Sequence, residues 1–163
     1  MTALYPWIVF VHVLAAFGFV LAHGTSALVA FAVRGERDPK RIAALLDLSD
    51  ARLGLMYGSL FILVVAGVVA GVTGHWFAQR WIWAALALLV VVAMAMYGYA
   101  VPYYTWVRGA IGLPSRDPRL VAAAPVPPAE LDALLRTGRP GGIAAVGVVG
   151  LAVLVWLMVF KPF

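Results

Sequence analysis

The chain has 163 residues, 64% hydrophobic and only 12% charged, with net charge +5 and no cysteine. A soluble domain carries roughly 25% charged residues, so an ordinary soluble globule is excluded and a single integral membrane domain is expected. The missing cysteine excludes disulfides, thiolate metal sites and cysteine nucleophiles, and without a basic soluble face no nucleic-acid partner is expected.

The first apolar run, residues 7–33, reads WIVFVHVLAAFGFVLAHGTSALVAFAV and holds no formal charge. It exceeds the roughly 20 residues that a bilayer helix needs. It is too long for a signal-peptide core and lacks a basic flank before it, so it is expected to be retained. Next comes RGERDPKRIAALLDLSDARLG. Here Asp38 can cap a short amphipathic helix with Pro39 at its first position, and Ile42, Leu45, Leu46 and Leu48 supply its apolar side. This helix either lies along the membrane surface or extends the second span.

Further spans are expected over residues 53–73, 82–103 and 143–160, with loops over 34–52 and 104–142. The second loop is rich in Pro, Gly and Arg, and APVPPAELDALLRTG within it reads as one short helix beginning at Pro128. The spans show no period-2 alternation, which argues against a barrel. Backbone groups in lipid must be satisfied within the segment, so each span is a helix. The fold class is therefore all-α integral membrane: a four-transmembrane-helix bundle with short amphipathic helices in its two cytoplasmic loops.

Charge sets the expected orientation. Arg34, Arg37, Lys40, Arg41, Arg52, Arg108, Arg116, Arg119, Arg136 and Arg139 fall in the two long loops, against Arg80 and Lys161 on the other side. The positive-inside rule puts the loops in the cytoplasm and both termini outside. Trp7, Trp76, Trp81, Trp83 and Trp156 then fall near the external interface as an aromatic belt. Gly54, Gly58, Gly67 and Gly71 recur at helical spacing on the second span, a pattern that lets helix backbones approach, either within the bundle or against another subunit or copy.

His12 and His23 are the strongly ionisable side chains inside an apolar span, and an imidazole in hydrocarbon needs a partner. They are eleven residues apart, which returns to within about 20° of one face some 16 Å along the axis. Such a stripe suits two b-type haems, or one haem and a quinone, because imidazole is a common haem ligand. His75, at the far end of the second span, can pair with His12 as a second haem-iron ligand, while Met94 or Met96 lies near the depth of His23. The alternative is that each histidine bonds a neighbouring helix and does nothing else. No carboxylate lies in a span, which counts against a proton-coupled transporter. Ser26 and Ser59 lack an acid–base partner and no hydrolase or phosphate-loop motif appears, so no catalytic residue is assigned.

The run VHVLAAFGFVLAHG, followed by RGERDPKRIAALLDLS and AGVVAGVTGHW, resembles small bacterial membrane proteins related to the copper-resistance protein D family. It is more distantly similar to the HemJ-type protoporphyrinogen oxidases. The resemblance covers the first three spans and implies a helical bundle with haem or porphyrin connections, His12 matching the first-helix histidine of those oxidases. They pair that histidine with a lysine in a later span, whereas the lysines here are Lys40 in a loop and Lys161 near the end. The resemblance therefore does not carry the oxidase chemistry. Two functions are expected in this order: a non-catalytic membrane subunit or binding protein packing against partner helices, or a b-type haem- or quinone-binding redox protein using His12 and His23, with His75 as the partner of His12.

Overall fold

In the computed structural model every long apolar run is a helix. The structure describes residues 3–114 and 124–163; Arg116, Asp117 and Arg119 lie outside them. The helices are α1 (Tyr5–Gly35), α2 (Pro39–Ala51), α3 (Leu53–Thr73), α4 (Arg80–Ala110), α5 (Pro128–Leu135) and α6 (Arg139–Phe160), with a 3-10 turn at Trp76–Ala78 between α3 and α4. Four helical segments are long and apolar enough to cross a membrane, so the fold is an all-α, four-helix membrane bundle. The strongly apolar side chains on its surface, such as Phe17 and Phe61 at about 70% exposure, are what a lipid-facing wall requires.

Local chemistry sets the helix ends. α1 stops at Gly35, and the Glu36 carboxylate then accepts the backbone N–H groups of Asp38 (3.0 Å) and Arg37 (2.8 Å). Those two bonds, aided by Arg41, hold the Glu36 carboxyl below the usual glutamate range. As expected, Asp38 caps α2 by accepting Lys40 N–H at 2.9 Å, with Pro39 in the first turn. The apolar side of α2 differs in one residue from the sequence expectation. Ile42, Leu46 and Ser49 are buried, whereas Leu48 is exposed, because it stands about 100–160° around the helix from those three.

The helices form two antiparallel hairpins. In the first, α1 runs against α2 and α3 as one arm. Ser49 Oγ donates to Ser26 Oγ at 3.0 Å, and His12 Nδ1 lies 2.9 Å from the Leu63 carbonyl. From Ser26 to His12 is fourteen residues, and so is Ser49 to Leu63. The register therefore passes through Arg52, the single residue between α2 and α3, without a slip. The expected loop over 34–52 is thus mostly helix, and α2 extends the span rather than lying apart from it.

In the second hairpin α4 runs against α6, with Gly150 under Val92 and Gly142 under Tyr99. α4 continues to Ala110, well past the expected end of its span, because Tyr103, Val107 and Ala110 recur on one face and are all buried. They join Val29, Ala30 and Val33 of α1, Ile42 and Leu46 of α2, Leu131 and Leu135 of α5 and Ile143 of α6 in one cluster. The solid core of the molecule therefore lies at the arginine-rich end. Through the spans, by contrast, helices touch mainly in pairs. The opposite end is closed by aromatic rings: Trp76 Nε1 donates to Tyr5 Oη at 2.9 Å, Trp81 packs edge-on to Trp76, and Lys161 Nζ sits 3.8 Å over the Trp76 ring.

Candidate functional site

α1 is the middle helix, with α3 on one side and α6 on the other, and its two histidines reach one neighbour each. The His12 ring enters the α1–α3 contact. A carbonyl can only accept, so its 2.9 Å bond to Leu63 puts a proton on Nδ1; in the neutral ring Nε2 is then the acceptor nitrogen. Gly67 makes this possible. A Cβ there would stand 2.9 Å from His12 Cε1, closer than two carbons sit, so a side chain at Gly67 would force the ring to shift.

His23 repeats the device against the other neighbour. Its ring stacks on Phe19, one turn earlier, with centroids 5.6 Å apart and planes 5° from parallel. Its Nε2 points at Gly147 of α6, where a Cβ would lie 2.8 Å away. The expected histidine stripe is thus split between two partners: one imidazole locks α1 to α3, and the other fits into a notch on α6.

His75 is exposed in the turn after α3, in the left-handed region at φ 57°. It lies eight residues past Gly67, about 12 Å along the helix, so the structure does not bring it to His12. Met94 faces outward at 62% exposure, and Met96 packs at the edge of the core cluster. Among the described residues there is no group of three or more His, Cys, Asp or Glu side chains able to hold a metal ion.

Polar chemistry is concentrated instead at the arginine-rich end, in contacts that sequence reasoning missed. Tyr104 Oη donates to the Ser26 carbonyl at 2.6 Å, which ties α4 to α1 beside the Ser26–Ser49 bond. Arg108, nearly buried, reaches Asp50 at 2.8 Å and Asp47 at 3.6 Å, which ties α4 to α2. Arg37 pairs with Asp132, which also accepts Arg136 Nε at 2.6 Å, and this joins the α1–α2 corner to α5. The partners in these ties are up to 95 residues apart in sequence, so no local pattern could pair them. The tyrosines and Ser26 stand out in the sequence only as polar residues near one end of a span.

Of the four glycines singled out on α3, Gly67 holds His12, and Gly71 is covered by Phe77 and Ile82. Gly54 and Gly58 have nothing within 4 Å of a Cβ. A purely apolar groove of about 400 Å³ lies on the outer flank of α1 and α3, lined by Trp7, Ile8, Val11, Phe61, Val65 and Val69 among others. With no polar group in its wall it can take an acyl chain or an apolar side chain but cannot orient a reacting group. No protein-family model, curated protein or solved structure matches this chain.

Proposed function

We propose that the protein is a small non-catalytic subunit or binding protein of a bacterial inner membrane, packing against partner helices or a second copy through the open side of α3. Its arginine-rich end lies in the cytoplasm and both termini lie outside, an orientation supported, among the described residues, by eight basic residues at one end against two at the other. One observation carries the partner reading. On a single helix two glycines are filled from within, while Gly54 and Gly58 lie open beside exposed Leu55, Tyr57 and Phe61. Two bare positions one turn apart lower the surface enough for another backbone to approach.

The chain lacks cysteine, so a Tyr57→Cys protein reports proximity directly. It is expected to form a disulfide with a second copy, or with a cysteine-bearing partner, in intact membranes. Adding Gly58→Leu is expected to abolish that cross-link while helix content stays unchanged, since nothing inside the chain touches the position. A cross-link that survives Gly58→Leu refutes the assignment of this face.

A second reading, b-type haem or quinone binding, is favoured by the His12 bond from Nδ1 to a carbonyl, which orients the ring as second-shell carbonyls orient ligating imidazoles and makes Nε2 the ligating nitrogen of the neutral form. The resemblance of the first three spans to copper-resistance-related proteins belongs with this reading. It predicts a Soret band that disappears in His12→Ala. Protein purified from haem-replete cells without that band eliminates the haem form.

A further inference from the structure

We infer that the cleft between α4 and α5 at the arginine-rich end binds the headgroup of a phospholipid carrying a primary amine, of the phosphatidylethanolamine type. The cleft has a volume of about 350 Å³ and is lined by Thr105, Trp106, Gly109, Val126, Glu130 and Leu134, among others. Its depth suits a headgroup. Trp81 and Trp106 lie twenty-five residues apart on one helix, or about 38 Å. That exceeds the roughly 30 Å hydrocarbon layer and leaves Trp106 among the headgroups when Trp81 marks the opposite interface.

The charges select the amine. Glu36, Asp38, Asp47, Asp50 and Asp132 each meet an arginine. Among the described residues only Glu130 is left without a cation, in a chain with excess positive charge. Arg139 likewise meets no carboxylate; its guanidinium lies 4.3 Å over the Trp106 ring. A carboxylate in the wall of the cleft and a guanidinium over the ring of the indole that lines it match an ammonium and a phosphate joined by two carbons. A glycerol headgroup offers Glu130 no positive charge, and a trimethylated amine offers it no N–H donor.

The inference rests on the membrane reading of α4, which is checked separately by retention of the full chain in the membrane after alkaline carbonate extraction. The test is native mass spectrometry of the detergent-purified chain with dioleoyl-phosphatidylethanolamine, -phosphatidylglycerol and -phosphatidylcholine. The parent is expected to retain the ethanolamine lipid about fivefold better than the other two, the upper range for a partly exposed ion pair. Glu130→Gln is expected to erase that preference, Glu130→Asp to keep it, and Arg139→Gln to weaken all three lipids. A membrane-retained parent without the preference, or a Glu130→Gln protein that keeps it, overturns the site. Displacement of the lipid by free phosphoethanolamine at equal concentration overturns the lipid as its occupant.

Discussion

A Tyr103→Ala protein is expected to be about 3–5 kcal/mol less stable than the parent, the cost of removing a large aromatic from a packed core. Tyr103 is the largest fully buried side chain among the described residues. It stands where the second hairpin enters the first, among Val29, Ala30 and Val33 of α1 and Ile42 and Leu46 of α2. This cluster is roofed by two short amphipathic helices, so its residues are removed from water and the transfer energy applies in full. The hydroxyl contributes little, because it lies 3.5 Å from the Ala30 carbonyl, at the limit of a useful bond. Tyr103→Phe is therefore expected to cost about 1 kcal/mol or less. Denaturant titrations in mild detergent, followed by tryptophan fluorescence, measure both variants. If phenylalanine is as harmful as alanine, the ring is not what holds the hairpins together; if alanine is harmless, the cluster is not the core.

Gly67→Val is expected to cost about 1–5 kcal/mol: roughly 1–3 for forcing atoms into a filled contact and up to about 1.7 for the interhelical hydrogen bond lost with it. The new side chain would collide with the His12 ring and push α1 from α3. The identical change at Gly54 meets open space and is expected to be near neutral. The sharper measurement is a double-mutant cycle. Once His12→Ala has emptied the notch, Gly67→Val should cost at least about 1 kcal/mol less than in the parent, since neighbours in contact do not add. Strict additivity would show that the ring and the glycine do not share the space.

Much of the fold was legible in the sequence because hydrocarbon permits so few solutions. The four spans follow from apolar length alone, and the α2 start follows from Asp38 and Pro39, a capping arrangement with a purely local cause. The extent of α4 was not legible. Tyr103, Val107 and Ala110 appear as the polar-aromatic edge of a span until α2 and α5 are seen to bury them. The histidines were legible as unusual but not as fitted pieces. The spacing of His12 and His23 gives their common face, yet only tertiary structure supplies Gly67 for one and Gly147 for the other. The glycine pattern was similarly ambiguous: spacing marks all four positions on α3 alike, while the fold fills two and leaves two open. Arg108 read as a topological charge, and its pairing with Asp50 across 58 residues has no trace in local sequence.

α4 is fastened at both ends. At one, the Trp81 N–H donates to the Phe163 carbonyl at 3.2 Å; at the other, Arg108 is held by Asp50 at 2.8 Å. The twenty-seven-residue step from one to the other along a single helix sets a strut of about 40 Å. A bilayer thinner than this strut prefers must make the whole protein lean, and a thicker one must pinch inward around it, at a fraction of a kcal/mol for each ångström of mismatch. Acyl-chain length thereby becomes a force on the molecule's tilt, felt equally at both faces of the membrane.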